Sequence, residues 1–252
     1  MPPDDYLQAI LSRETVDTGP YSPVRLVQAM LLPIIREWAG AMLLSFQPSG
    51  SFVKGTANRS GTDIDFFISI SENAPDTLRE IYQKLANRMR ERGYPPTLQN
   101  VSIKVRVHDY DVDLVPGKRQ NAFSSDHSLY RRKAGTWTKT NVDTHIATVT
   151  AAGRQRESRI LKLWRDQKRL DFPSFYLELT AINALVGVYG GLAANVWTVF
   201  QYLAERVANA RVVDPANTGN IISDDLTAAE KGRIAIMAAA ALKATDWNQI
   251  AV

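Results

Sequence analysis

A glycine-serine pair and two clusters of aspartates carry the chemistry that this sequence can do. Residues 50–70 read Gly-Ser-Phe-Val-Lys-Gly-Thr-Ala-Asn-Arg-Ser-Gly-Thr-Asp-Ile-Asp-Phe-Phe-Ile-Ser-Ile. Gly50 and Ser51 can bring backbone N–H groups and a hydroxyl against a polyphosphate, because glycine permits close approach and an opening helix turn offers unpaired donors. Asp63 and Asp65 follow, two apart in a stretch rich in Ile and Phe. If that stretch is a strand, both carboxylates project from one face. Two carboxylates side by side repel. A divalent cation between them relieves the repulsion, and Mg²⁺ suits the task through its preference for oxygen ligands and phosphates.

A site of this type needs a further acid. Residues 107–116, Val-His-Asp-Tyr-Asp-Val-Asp-Leu-Val-Pro, offer Asp109, Asp111 and Asp113 alternating with Tyr110, Val112 and Leu114. A strand here shows acids on one side and apolar groups on the other, and any of the three could complete the set.

The ordered set Gly50-Ser51, Gly61-Thr62-Asp63-Ile64-Asp65 and Asp113-Leu114-Val115-Pro116 resembles the polymerase β type nucleotidyltransferase superfamily. Within it the likeness is to bacterial relatives of cyclic GMP-AMP synthase, oligoadenylate synthetases and archaeal CCA-adding enzymes. The resemblance selects Asp113 as the third acid. It implies that Asp63, Asp65 and Asp113 hold two Mg²⁺ ions, with Mn²⁺ as a substitute. It also implies that Lys162, in Arg159-Ile-Leu-Lys-Leu-Trp164, reaches the triphosphate beside Gly50 and Ser51. In Pro173-Ser-Phe-Tyr-Leu-Glu178 it assigns phosphate contact to Ser174 and base stacking to Phe175 or Tyr176. The Asp-Pro and Asn of residues 214–217 resemble a late segment of the same families. One part is loose: Val142 stands where the family tends to have proline.

The elements that must position these groups follow from periodicity. Val24, Leu26, Val27, Met30, Leu31, Ile34, Ile35 and Trp38 have helical spacing after Pro23, with Pro33 expected to kink the helix, and residues 42–46 suit a first strand. A helix over residues 75–92 stops at Gly93. Val101, Ile103, Val105 and Val107 alternate with Ser102, Lys104, Arg106 and His108, which predicts a strand with His108 facing solvent. Asp109-Tyr110 is read as the tight link into the strand carrying Asp113. Residues 129–140 read as turns around an exposed Trp137, and His145 as a capping or packing residue. Residues 144–168 read as one long helix, and apolar helices follow to a last one over residues 227–244. The expected fold is α+β: a polymerase β-like nucleotidyltransferase core, a mixed sheet flanked by helices, packed on a C-terminal helical bundle. The core is expected over residues 1–143 and the helical domain over residues 144–252.

Composition bounds the rest. The chain has 252 residues, no cysteine, 45% hydrophobic and 22% charged residues and a formal charge of +4. That excludes disulfides and thiolate chemistry and gives an ordinary globular balance. Without a long apolar run or a basic leader, the reading is a cytoplasmic protein with no membrane partner. Basic stretches such as Arg131-Arg132-Lys133 favour anionic partners: nucleoside triphosphates, and an RNA or oligonucleotide acceptor. The resemblance implies Mg²⁺-dependent joining of nucleoside triphosphates with release of pyrophosphate, and the roughly 100 residues after the core favour a small acceptor, hence a cyclic or linear oligonucleotide signal of the kind such relatives make in anti-phage defence. The alternatives are addition of nucleotides to an RNA or protein acceptor, and a catalytically silent nucleotide or RNA sensor.

Overall fold

The computed structural model describes residues 1–61 and 63–252, so Thr62 of the acid motif lies outside the described residues. The chain divides into two compact units. One is mixed α/β, over Asp17–Lys54 and Gly61–Ile146, and the other is helical, over Met1–Val16, Gly55–Ser60 and Ala147–Val252. This differs from a single cut after residue 143, because α1 (Pro3–Arg13) and residues Gly55–Ser60 belong to the helical unit.

In the mixed unit, α2 (Pro23–Ala39) buries Val24, Val27, Leu31 and Ile35, a stripe at helical spacing, and carries Pro33 within it. The chain then forms β1 (Leu43–Pro48), the short helix α3 (Gly50–Lys54) and β2 (Asp63–Ile70). Next comes α4 (Leu78–Glu91), opened by a capping box in which Thr77 and Glu80 satisfy each other's backbone donors. β3 (Thr97–Leu98), β4 (Ile103–Val107) and β5 (Tyr110–Arg119) extend the sheet in the order β1-β2-β5-β4-β3, and two further strands join it through the end of β5. β2 and β5 run parallel, and the other pairs are antiparallel. Ile64, Phe66, Ile68 and Ile70 alternate along β2 with Asp63, Asp65, Phe67 and Ser69. The first set joins Leu31, Ile35, Leu85, Met89, Val105 and Leu114 in one buried cluster, which leaves the acids on the opposite face.

Three readings change. His108 lies in the β4–β5 turn with φ of 51°, a region short polar side chains tolerate better than bulky apolar ones, instead of on the strand. Residues 129–140 belong to a hairpin, β6 (His127–Arg131) and β7 (Thr136–Thr140), in which Trp137 is exposed. The single helix expected from residue 144 is two helices, α5 (Val142–Ala152) and α6 (Gln155–Gln167). Gly153, with φ of 66°, breaks between them, a conformation that glycine adopts without Cβ strain.

The helical unit continues with α7 (Ser174–Ala184), α8 (Leu192–Arg206), the small hairpin β8 (Val213–Asp214) and β9 (Asn217–Ile221), and α9 (Ala228–Ala241). Its core gathers Leu7, Leu161, Trp164, Tyr176, Val196 and Phe200, with the Trp164 and Phe200 rings 5.1 Å apart and tilted edge to face. Arg159 ties the early segments to it. Its guanidinium donates to the carbonyls of Leu11 (2.9 Å) and Glu14 (2.7 Å) at the end of α1 and to Asn58 Oδ1 (3.1 Å). The Glu14 carbonyl also accepts from the Arg59 backbone N–H (3.0 Å) and the Leu11 carbonyl from Thr15 Oγ1 (3.2 Å), so the carbonyls at the end of α1 are shared between local and distant donors. Among the described residues no helix is long and apolar enough to cross a membrane.

Candidate active site

The parallel register of β2 and β5 sets Asp63 opposite Asp111 and Asp65 opposite Asp113. Neighbouring residues in register share a face, so four carboxylates line one patch of the sheet. Asp109 lies in the turn before β5 and outside this ladder. On the next strand Lys104 is opposite Asp113 and Arg106 opposite Asp111, which adds two cations to the same face.

The acids are not equivalent. Asp111 is half-buried and takes a 2.7 Å ion pair from Arg106, whose hydrogen bond holds its carboxyl below the usual range. Asp113 is more deeply set, accepting from Ser102 Oγ at 3.1 Å. Burial pushes its pKa up, against the opposing pull of Lys104 and Ser102. Lys104 Nζ stands 3.4 Å from Asp63, 3.7 Å from Asp113 and 3.9 Å from Asp111. The strand position thus sorts the candidates: Asp113 is the acid of β5 that lies beside Asp65 and has a charge-desolvating environment.

Gly50 begins α3 with φ of 59°. A Cβ there would lie 1.8 Å from Asp65 Oδ2, so the position admits the Asp65 carboxylate only because it is glycine. The backbone N–H of Ser49 donates to the Asp65 carbonyl at 2.8 Å, which locks the turn to the acid strand. Ser51 follows within α3. Gly50, Ser51, Asp63, Asp65 and Asp113 are therefore all supplied by the mixed unit. Along the same face beyond Asp65, Phe67, Ser69, Gln47, Arg119, His127 and Asp143 line a cavity of about 320 Å³.

The remaining expected residues belong to the helical unit. Lys162 is buried, and its ammonium donates to Glu178 Oε1 (2.6 Å), Thr56 Oγ1 (2.9 Å) and the Thr56 carbonyl (3.2 Å). Thr56 Oγ1 also donates to Glu178 at 2.5 Å, so the three are joined in one buried polar cluster. Ser174 starts α7 and accepts from Arg165 at 2.9 Å. Phe175 is half-buried at the edge of the helical core, whereas Tyr176 is fully buried and has no ring face left for a base. Sequence reasoning passed over Lys104 and Ser102. The signal that finds them is the short β4–β5 turn, which fixes which residues of the two strands meet.

The donor set fits a hard divalent cation in kind: carboxylate oxygens only, crowded by the sheet register, with the Lys104 ammonium already standing in as a cation among three of them. Among the described residues no group of three or more His, Asp or Glu side chains is gathered closely enough to hold an ion.

This sheet, with acids paired across its parallel strands beside a glycine turn, has the fold of the polymerase β type nucleotidyltransferases. No family model matches the chain. Among curated proteins it is similar to cyclic AMP-AMP-AMP synthase of Escherichia coli (strain MS 115-1), with 29% identity over 188 residues, 66% of this chain and 58% of that protein. The chain thus spans less than two thirds of that synthase. Among solved structures it is similar to E. coli MS115-1 CdnC in a complex with HORMA-deltaN, with a TM-score of 0.76, 22% identity and coverage of 97% and 96% of the two chains. It is also similar to the Bradyrhizobium diazoefficiens CD-NTase CdnG bound to GTP, with a TM-score of 0.79, 12% identity and coverage of 96% and 90%. A poly(U) polymerase bound to MgATP gives a TM-score of 0.68 at 11% identity, with coverage of 95% and 93%.

Proposed function

We propose that this protein is a nucleotidyltransferase that joins nucleoside triphosphates into a cyclic or linear oligonucleotide signal, used in defence against phage, and releases pyrophosphate. The observation that carries this reading is the side-by-side placement of Asp65 and Asp113 in the register of β2 and β5, next to Gly50. The similarity to cyclic AMP-AMP-AMP synthase supports the product class.

In the reaction, an acceptor hydroxyl attacks the α-phosphorus of a bound triphosphate, an oxygen–phosphorus bond forms, and the bond to the β-phosphate breaks. Asp63, Asp65 and Asp113 would hold Mg²⁺, which when bound neutralises phosphate charge and lowers the pKa of the attacking hydroxyl. Gly50 and Ser51 anchor the phosphates through backbone N–H groups and a hydroxyl. Asp113 accepts the hydroxyl proton. Most of the rate then comes from positioning and from preorganised charge, since little covalent work falls to the side chains. The cavity beyond Phe67 has hydrogen-bonding walls and aromatic rings suited to an acceptor nucleoside.

Lys162 and Ser174 complete the phosphate contacts in this reading, and Phe175 stacks on the base. The test is incubation with each labelled nucleoside triphosphate and Mg²⁺, with and without RNA. A small nuclease-resistant product is expected. Extension of the RNA alone, or bound nucleotide without any product, overturns the proposal.

A further inference from the structure

The acid patch contains a cation of its own. Lys104 sits on β4 directly across from Asp113, and its Nζ lies within 3.9 Å of Asp63, Asp111 and Asp113. Arg106, the other base on this face, is occupied with Asp111 at 2.7 Å, so Lys104 is the group left to balance Asp63 and Asp113. Its side chain is 27% exposed, held along the sheet with its ammonium over the acids. An ammonium and a divalent ion compete for the same carboxylates, because the attraction of each acid is spent on whichever cation is nearer.

We propose that Lys104 is a positioning residue that acts as an internal counter-ion: it keeps the acids together when no divalent cation is bound, and it weakens the affinity of the site by having to be displaced. This rests on the reading that Asp63 and Asp113 hold a divalent cation. The long flexible stem of lysine suits the role, since its ammonium can turn aside by rotamer change while the backbone register with Asp113 stays fixed. Lys104 then tunes the cation concentration at which the site fills, a property separate from bond formation.

The experiment is titration of the full chain with Mn²⁺ alone, without nucleotide, following free Mn²⁺ by electron paramagnetic resonance, for wild type, K104M, K104Q and K104R. The expected result is binding about tenfold tighter in K104M and K104Q, with K104R near wild type because it restores the charge. Thermal unfolding in EDTA should show the two neutral variants melting lower than wild type, and Mn²⁺ should raise them by more. Should K104M fail to fold, K104Q supplies the neutral tip in a polar form. Equal or weaker Mn²⁺ binding in the neutral variants overturns the role of Lys104 alone. Absence of Mn²⁺ binding in wild type and in every variant overturns the divalent-cation reading on which it rests.

Discussion

Asp65 and Asp113 are direct neighbours across the parallel β2–β5 pair, while Asp111, two residues away on the same strand, is paired with Arg106. This separates acids that look alike in sequence. We expect D65N or D113N to lower nucleotide incorporation at least about a thousandfold, as removal of a group that works within a preorganised charge site does. D111N should retain most activity. Pyrophosphate release from labelled triphosphates measures all three, and a D111N loss as deep as that of D113N would refute the assignment.

Gly50 tests the contact between turn and acid. In G50A the new methyl must displace the Asp65 carboxylate, and the backbone stays at φ of 59°. Strain of this kind costs about 1–3 kcal/mol, which urea unfolding can read. Activity should fall further than stability does, because the displaced group is Asp65.

Lys162 and Glu178 give a prediction about stability that also bears on function. Both are buried, 2.6 Å apart, and removing one partner strips the other of this close ion pair. K162M should therefore destabilise by about 3–5 kcal/mol, and K162M/E178L should recover most of that loss. If Lys162 also serves the triphosphate, the double variant will be folded and still weak in KM for nucleotide. A folded double variant with unchanged KM confines Lys162 to structure.

His127 supplies a pH dependence. Its Nδ1 faces the Ser125 carbonyl at 2.8 Å, so that nitrogen carries the proton and Nε2 accepts from Ser69 Oγ at 2.7 Å. Burial lowers its pKa from the ordinary 6.5. The folded state thus binds fewer protons than the unfolded one, so the stability from neutral His127 is full above pH 6.5 and is lost as pH falls through the lowered value. Thermal unfolding from pH 7.5 to 5 should show this decline in wild type and a flatter profile in H127Q. Identical slopes would show that other groups govern it.

Much of the site could be read from the chain because strands print their faces as alternation. Asp63, Asp65, Asp111 and Asp113 emerge from that pattern alone, and so do Ile64, Phe66 and Ile68 on the buried side. What stayed hidden depends on pairing or on a single backbone angle. Lys104 looks like an ordinary solvent-facing base until the β4–β5 register puts it across from Asp113. The β6–β7 hairpin carries polar runs such as Thr136–Thr140, so its hydrophobic signal is weak. The break in the long helix rests on one glycine, Gly153, whose left-handed angle does not show in apolar spacing. Ser174 and Phe175 were placed at a helix start by Pro173, and α7 begins there, but their use in binding is a matter of chemistry that periodicity does not encode.

Residues 55–60 leave the mixed unit after α3 and the chain returns to it for β2, while α1 lies with helices more than a hundred residues later in sequence. The helical half consequently cannot be expressed as one uninterrupted fragment. A gene cut after residue 146 would yield a sheet lacking the partners of α1 and of Asn58, and the helices alone would lack both segments that Arg159 binds. The helical unit is thus assembled from three separate stretches of one thread, and its core depends on residues that a fragment beginning at residue 147 does not carry.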